Sequence, residues 1–207
     1  AVDPRGVPTP TAYEIGRGLA AEVMIRHAQD HGDWPRSLVI DLWGSATMRT
    51  GGEDLAQAFA LIGVRPDWDP ATGRVTGFTV LPAARLERPR VDVTLRVSGL
   101  FRDVFADQIE LFDRAVQEVA RRDEPADFNP LIGALAADRA SPPARLTRVF
   151  GTAPGAYGVG LSSRINADDW NGRDELGAHY LAASSHAYGG GLTGEALDGA
   201  VNRAVAE

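Results

Sequence analysis

Near the start of the chain, the apolar positions recur with the spacing of a helix. Ile15, Leu19 and Val23 stand four residues apart and predict a helix with these side chains on its buried face. Thr11 can cap its amino end, and Gly32 marks its expected carboxyl end. The sequence therefore predicts an extended Pro-rich arm followed by an amphipathic helix.

Apolar runs of strand length then alternate with helical patterns up to residue 122. Strands are predicted at 37–43, 74–82 and 91–99, the first as a run buried on both faces of a sheet. Helices are predicted after the first and third strands, at 53–64 and 105–119. The charged residues off the apolar stripe of the last helix are expected to face solvent; they are Asp107, Glu110, Asp113, Arg114 and Glu118.

This order of elements predicts an α/β fold, a mostly parallel sheet with flanking helices, followed by a helical, loop-rich C-terminal portion. Residues 1–122 are expected to form an α/β core with an N-terminal arm and helix. Residues 123–207 carry more Gly, Pro, Ala and Ser and are expected to form short helices and Gly-rich loops packed on that core. The final helical pattern has no stop signal, so the chain is interpreted as a fragment truncated at its C-terminus.

Charge and composition narrow the classes of partner. The 207 residues carry a net charge of −7, which repels nucleic acid phosphates and anionic lipid surfaces. The chain has no cysteine, which excludes disulfides and thiolate sites and fits a cytoplasmic protein. No apolar run is long enough to span a bilayer. We therefore expect neither a nucleic acid nor a membrane partner.

Two predicted strands run into polar segments, "GSATMRTGGED" and "SGLFRDVFADQ". In a parallel sheet both segments lie at the carboxyl edge, where α/β folds bind ligands. Gly51 and Gly52 precede a helix as in nucleotide cradles, but no Lys follows and neither GxxxxGK[ST] nor GxGxxG occurs. The structural interpretation is favoured: Thr50 or a glycine caps the helix, and Glu53 and Asp54 complement its dipole.

The residues at these strand ends suit a flat, acidic ligand. Trp43, Thr47 and Arg49 combine an aromatic ring, a hydroxyl and a guanidinium fork. Arg102 either binds a ligand carboxylate beside Arg49 or pairs with a nearby acid. Tyr157 either covers a ligand or anchors its glycine-flanked loop to the core, the second being the default.

The histidines give no metal prediction. His27 and His31 stand four apart, which can place both rings on one helix face, but the segment lacks a glutamate of the HExxH type. His179 and His186 are seven apart, a spacing that does not favour ligation. Nor does any GxSxG elbow raise a nucleophilic serine. We therefore expect no metal site.

Several segments in order resemble the large subunit of ATP-dependent metal chelatases, the family of the cobaltochelatase CobN subunit and the magnesium chelatase H subunit. They are "VDPRGVPTPTAYEIGR", "LWGSATMRTGGEDLAQAFALIGVRPDWD", "GRVTGFTVLP", "RPRVDVTLRVSGLFRDVFADQIELFDRAV", "DEPADFNP" and "RVFGTAPGAYGVGL". "LWGSATMRTGGED" and "VTLRVSGLFRD" are more similar to the cobalt type. The likeness covers essentially the whole chain as a part of a much longer protein.

The resemblance implies a cytoplasmic subunit that binds a tetrapyrrole, either hydrogenobyrinic acid a,c-diamide or protoporphyrin IX. It implies that AAA+-type partner subunits use the ATP, that cobalt is a substrate of the parent enzyme, and that this fragment binds no cofactor and is inactive alone. Trp43, Arg49, Arg102 and Tyr157 would then contact the ring or its carboxylates, and Glu53 or Asp103 could take protons from its pyrrole nitrogens. Alternatively, the segment is a structural or docking module that meets the ATPase partners.

Overall fold

A five-stranded sheet runs through the structure and takes its strands from both halves of the chain. The computed structural model describes residues 3–137, 146–167 and 170–197. The strands are β1 (Ser37–Leu42), β2 (Val64–Trp68), β3 (Val75–Val80), β4 (Asp92–Val97), β5 (Val149–Gly151), β6 (His186–Gly189) and β7 (Leu192–Ala196). The helices are α1 (Pro10–His31), α2 (Gly44–Thr50), α3 (Glu53–Leu61), α4 (Ala83–Leu86), α5 (Gly99–Val104), α6 (Ala106–Ala120), α7 (Pro130–Ala137), α8 (Leu161–Asn166) and α9 (Arg173–Ala183).

The strand order in the sheet is β1-β4-β5-β6-β7. β4 pairs in parallel with both β1 and β5, whereas β6 is antiparallel to its neighbours β5 and β7. β7 therefore points the same way as β1, β4 and β5. The predicted α/β class with a mostly parallel sheet is confirmed. Among the described helices, none combines the length and apolarity that a bilayer crossing requires.

Two strand predictions need correction. The strand predicted at 74–82 is β3, but it pairs antiparallel with β2 in a separate hairpin and does not join the large sheet. β2 itself was not predicted, because Pro66 was interpreted only as a helix stop. A two-stranded hairpin tolerates that residue, since Pro lacks only the N–H that an inner strand would need. β1 is an edge strand and not buried on both faces, as the exposed Val39 and Asp41 show.

Helix α1 buries a different face from the one predicted. Thr9, not Thr11, caps it by accepting a hydrogen bond from a backbone N–H in the first turn, while the end at Gly32 is confirmed. Ile15 is exposed, and the buried residues of the helix are Ala12, Tyr13, Gly16, Ala20 and Met24. A Cβ on Gly16 would lie 2.5 Å from the backbone nitrogen of Gln57 in α3. Helices α1 and α3 therefore pack so closely at Gly16 that no side chain fits between them there.

The C-terminal portion departs most from prediction. Residues 149–196 were expected to form only short helices and loops, but they supply β5, β6 and β7 to the same sheet as β1 and β4. The sequence "YGGG" ends β6 and forms the turn into β7, with positive φ at Gly189, Gly190 and Gly191. The sequences of these short strands show little alternation of apolar and polar residues. Their extended conformation therefore depends on pairing with β4 and with each other.

Helix α6 confirms its predicted apolar stripe, with one exception among the charged residues. Asp113 was expected to face solvent but is 5% exposed, beneath the β6–β7 turn. A Cβ on Gly189 would lie 2.9 Å from the Cβ of Asp113. Burial raises the pKa of the Asp113 carboxyl to about 6, and the charge of Glu110 adds to the effect.

The fully buried Arg90 joins three separate parts of the chain. Its Nε and Nη2 donate to the two carboxylate oxygens of Glu124 at 2.8 and 2.7 Å. Its Nη1 donates to the carbonyls of Ile62 and Gly63, and Nη2 also donates to the carbonyl of Leu81. The guanidinium therefore holds the end of α3, the end of β3 and the segment after α6 together.

Candidate functional site

The two polar segments lie side by side at the carboxyl edge of the sheet, as predicted. β1 and β4 are adjacent and parallel, and each continues at once into a short helix, α2 or α5, where loops were expected. Ser98 ties the two together: its Oγ accepts from the backbone nitrogens of Gly44 (3.1 Å) and Phe101 (3.2 Å). Its own N–H donates to the carbonyl of Leu42 at 2.9 Å. One serine thus caps α5 and fixes the start of α2.

The glycine pair holds the N-terminal arm of the chain. Gly51 and Gly52 have φ of 72° and 94°, and the Oγ1 of Thr50 accepts from the backbone of Gly52 (3.2 Å) and Glu53 (3.3 Å). The N–H of Thr9 donates to the carbonyl of Gly51 at 3.0 Å. The structural interpretation of this segment is confirmed, because the space before α3 is filled by the chain itself.

A cleft of about 610 Å³ opens where β1, β4 and β5 end. Leu42 and Val97 line its base, and residues 157–163 form one side. Two aromatic side chains and one charged side chain also line it, namely those of Trp43, Tyr180 and Arg96. The volume falls within the roughly 300–1,000 Å³ typical of small-molecule sites. This cleft is the candidate functional site of the described chain.

Arg96, the charged residue of the cleft lining, is held by an ion pair with Asp41 and lies against two aromatic rings. The Nε and Nη2 of Arg96 donate to the two carboxylate oxygens of Asp41 at 2.5 and 2.8 Å. The guanidinium carbon lies 5.0 Å from the centroid of the Tyr180 ring and 6.0 Å from that of Trp43. Hydrogen bonding to Asp41 raises the pKa of Arg96, and burial raises the pKa of Tyr180. The cation is therefore fixed in orientation at the cleft wall.

The structure brings only two of the predicted binding residues to this cleft. Trp43 and Tyr157 line it, and their side chains remain 56% and 70% exposed. Thr47 is buried, with no hydrogen-bond partner for its hydroxyl among the described residues, so it cannot face a ligand as predicted. Arg49 is exposed on α2 but lies outside the cleft lining. Ligand contact by Trp43, Arg49 and Tyr157 stays a prediction.

Arg102 is turned inward, which corrects the prediction that it binds a ligand carboxylate. Its Nη1 donates to the carbonyls of Thr152 (3.2 Å), Ala153 (2.8 Å) and Ala156 (3.2 Å). Its Nε and Nη2 donate to the carboxylate of Asp103 at 2.7 and 3.1 Å, which is the alternative that the sequence left open. Buried in this way, Arg102 shapes the loop that follows β5.

The structure supports the anchoring alternative for Tyr157, because its hydroxyl holds the loop to α5 while its ring stays exposed. The hydroxyl of Tyr157 donates to Asp103 at 2.6 Å, and its ring lies 5.7 Å from the guanidinium carbon of Arg102. Gly99 permits this arrangement, since a Cβ there would lie 2.7 Å from the carbonyl oxygen of Ala156. The loop after β5 is thus held against α5 with one aromatic ring displayed over the cleft.

The two carboxylates suggested as proton acceptors are poorly placed for that task. Hydrogen bonds from Arg102 and Tyr157 lower the pKa of Asp103, which makes this carboxylate a weaker base. Glu53 lies in the first turn of α3, outside the cleft lining. Neither geometry supports removal of a proton from a ligand in the cleft.

Four residues at or beside the cleft were not predicted from the sequence: Asp41, Arg96, Ser98 and Tyr180. A signal existed for the first two, since they carry opposite charges near the carboxyl ends of two predicted strands, 37–43 and 91–99. The register pairs Asp41 with Arg96 directly, so opposite charges on adjacent strands could have been matched. Tyr180 lies in α9, whose sequence shows no apolar stripe with helical spacing.

The histidines stay apart from the cleft base. The rings of His27 and His31 have centroids 4.4 Å apart, and Nδ1 of His27 is 2.9 Å from the carbonyl of Asp33. His179 meets the carbonyl of Val159 at 2.8 Å and so supports the loop on one side of the cleft. Within the described ranges, no three His, Cys, Asp or Glu side chains are grouped so that they could hold a metal ion.

Comparison with known proteins gives consistent matches along the whole chain. A family model described as CobN/Magnesium Chelatase matches residues 1–207. The chain is 47% identical over 206 residues to the aerobic cobaltochelatase CobN protein of Sinorhizobium sp and 49% identical over 199 residues to that of Pseudomonas aeruginosa. These matches cover 94% and 91% of this chain but 16% of each relative, so the chain spans about a sixth of their length.

More distant and structural matches agree. The magnesium-chelatase H protein of Chlorobaculum parvum is 33% identical over 198 residues, covering 94% of this chain and 16% of that protein. The solved catalytic subunit of cobaltochelatase from Mycobacterium tuberculosis is 41% identical and superposes with a TM-score of 0.94. That match covers 98% of this chain and 18% of the solved chain.

Proposed function

The chain belongs to the CobN/magnesium chelatase family, and from this premise we propose that it forms part of the tetrapyrrole-binding wall of a cobaltochelatase large subunit. The parent enzyme would insert cobalt, its metal substrate, into hydrogenobyrinic acid a,c-diamide in cobalamin biosynthesis. Identities of 47% and 49% to CobN proteins, against 33% to a magnesium-chelatase H protein, favour cobalt. The single observation that carries the proposal at the level of the site is the aromatic cleft at the carboxyl edge of the sheet.

The cleft offers what the edge of a planar conjugated ring requires. Its base is apolar at Leu42 and Val97, and the rings of Trp43 and Tyr180 give flat surfaces for contact. Tyr157 stands on a loop that Arg102 holds from below, so the ring can cover a ligand without the loop having to fold first. In this role the chain binds and orients the macrocycle.

Proton removal from the pyrrole nitrogens is assigned to another part of the parent protein. Asp103 is a weakened base and Glu53 lies outside the cleft, so neither sequence candidate carries this step. The chain has no Walker motif, in keeping with ATP hydrolysis by separate AAA+-type partner subunits. We further propose a cytoplasmic enzyme, of which this chain alone, about a sixth of the length, is inactive.

An absorbance titration of the chain with hydrogenobyrinic acid a,c-diamide tests the proposal. Trp43→Ala should weaken binding about tenfold, since an aromatic contact in a cleft contributes about 1–2 kcal/mol. Trp34→Ala is the matched control, because Trp34 is also exposed but lies before β1, at the other end of that strand. Absence of binding, or equal weakening by both variants, would contradict the proposal. Tighter binding of protoporphyrin IX would favour a magnesium chelatase instead.

A second role, docking of partner subunits, has its own supporting observation. Met48 on α2 and Leu100 on α5 are exposed apolar side chains at the same edge as Trp43. Exposed apolar groups of this kind suit a protein contact. Co-purification with the AAA+ subunits, lost in Met48→Ser together with Leu100→Ser but kept in Trp43→Ala, would support docking. Co-purification that is unchanged in the double variant would contradict the docking role.

A further inference from the structure

A second cleft, of about 500 Å³, lies between the N-terminal arm, the turn from β2 to β3 and the first turns of α6. It shares no lining residue with the cleft at the carboxyl edge of the sheet. We propose that this second cleft binds a short zwitterionic peptide, a ligand that carries an ammonium group, a carboxylate and a peptide amide. Such a site is independent of the proposed contact with a tetrapyrrole.

The arm and the hairpin turn together form one wall of the second cleft. Asp3 accepts from Nε of Arg5 at 3.2 Å and from Nε of Arg74 at 3.0 Å, which places the two guanidinium groups beside each other. A Cβ on Gly6 would lie 3.2 Å from the carbonyl oxygen of Gly73, so the two segments are in direct contact. This wall is therefore formed before a ligand arrives.

Unused guanidinium donors give the second cleft an anion-binding part. Nη1 and Nη2 of Arg74 make no hydrogen bond to a described residue, and this side chain is 43% exposed. Arg114 has neither an ion pair nor a hydrogen bond within the described ranges, although Glu110 and Glu118 stand four residues away on the same helix. Arg74 and Arg114 both line the cleft. A guanidinium without a partner favours a carboxylate through a two-point contact.

Carboxylates of α6 provide the opposite charge. Asp107 and Glu110 stand three residues apart, and both are exposed and line the second cleft. Asp107 accepts no hydrogen bond from the described part of the chain, and Glu110 accepts one, from the backbone of Gly190 at 3.3 Å. With Asp69 from the hairpin turn, three carboxylates balance three guanidinium groups in the lining. A zwitterion suits this lining better than a simple anion, which the carboxylates would repel.

Gln108 adds an uncharged hydrogen-bonding group to the lining. Its side chain is 3% exposed, and no hydrogen bond joins its amide to another group in the described residues, although the amide is not fully enclosed. The open part of this side chain therefore faces the cleft. Buried amides normally have partners, and a peptide amide can supply both an acceptor and a donor. Leu111 and Val75, which also line the cleft, would contact an apolar side chain of the ligand.

The dipeptide Ala-Leu is the probe, added to the nitrogen-15-labelled 207-residue chain while the side-chain amide signals of Gln108 are followed by NMR. These signals should shift and reach saturation. N-acetyl-Ala-Leu lacks the ammonium group and Ala-Leu amide lacks the carboxylate, so each should bind at least about tenfold more weakly, the fold-change that one charged contact supplies. Free leucine, which has no peptide amide, should also bind more weakly than Ala-Leu.

Variants assign the two charged contacts. Arg114→Gln should weaken binding of Ala-Leu about tenfold but leave binding of Ala-Leu amide unchanged, and Asp107→Asn should weaken Ala-Leu but not its N-acetyl form. Arg121→Gln, an exposed arginine outside the cleft lining, is the matched control and should change neither. A far-ultraviolet circular dichroism spectrum checks that each variant is folded.

The competing explanation is that these charges only keep the surface hydrated, and it predicts no shift of the Gln108 signals with any probe. That result would overturn the proposal, as would equal binding of Ala-Leu and its two blocked forms. Inorganic phosphate that shifts the signals as strongly as Ala-Leu would indicate a simple anion site and would also overturn it. Weakening of Ala-Leu by Arg121→Gln equal to that by Arg114→Gln would have the same consequence.

Discussion

Replacement of Asp113 by Asn should stabilise the chain at neutral pH, because the native carboxylate is buried beneath the β6–β7 turn beside Glu110. The pKa of Asp113 in the folded chain is about 6, against an ordinary value of 3.8. Each pH unit between these values corresponds to about 1.4 kcal/mol. The ionised carboxylate therefore costs the folded state about 3 kcal/mol above the folded pKa, which Asn avoids.

The sign of the effect depends on pH in a defined way. Below the ordinary pKa of 3.8 the carboxyl is neutral in both states, and the native residue carries no penalty. As the pH rises towards the folded pKa of about 6, the unfolded chain releases its proton first, and the stability that the neutral group contributed is lost. The advantage of Asp113→Asn should therefore grow across this window and stay constant above it.

Urea unfolding followed by tryptophan fluorescence, at several pH values from about 4 to about 8, measures this advantage directly. Glu118→Gln is the control, because Glu118 is an exposed acid on the same helix. An unchanged dependence on urea concentration would show that both chains unfold in the same way. A stability gain equal at both ends of the pH range, or absent at neutral pH, would refute the argument that burial raises this pKa.

Three further changes test the packing. Gly16→Ala should lower the free energy of unfolding in urea by about 1–3 kcal/mol, because the new methyl group meets the backbone of α3. Gly18→Ala, with open space around it, should be neutral or stabilising. Equal effects of the two variants would refute the close helix contact. Arg90→Ala should lower the free energy of unfolding by about 3–5 kcal/mol in the same assay, because Glu124 loses its buried partner. A loss under about 1 kcal/mol would show that the ion pair is dispensable for stability. Ser98→Ala should lower the free energy of unfolding by about 1–2 kcal/mol and lower the melting temperature, since two backbone N–H groups lose their acceptor. An unchanged melting temperature would contradict the capping role of Ser98.

The sequence predicted those parts of the fold whose signal is local. Strands β1 and β4 and helix α6 have strong apolar patterns, and their order was sufficient to place two polar segments at one edge of the sheet. Strands β5 to β7 were missed because β5 has three residues and the others contain glycines. Their conformation follows from pairing with β4, a long-range effect that no local pattern carries.

The candidate site was predictable only in part, for a similar reason. Trp43 and Tyr157 stand in polar or glycine-rich segments, where an aromatic residue is conspicuous. The burial of Thr47 and the inward turn of Arg102 depend on which segments pack against α2 and α5, and for Arg102 those are residues 152–156. Asp41 and Arg96 stand inside strands, so their roles became visible only once the register was known.

The position of β4 between β1 and β5 has a consequence for synthesis of these residues on the ribosome. When the residues through α7 have left the exit tunnel, β1, β4 and helices α1 to α6 can assemble, but one edge of β4 still lacks its neighbour β5. One side of the cleft and the ring of Tyr180 emerge later still. The cleft would therefore stay incomplete until residues 157–180 have left the tunnel, and the unpaired edge of β4 would need shielding in the interval.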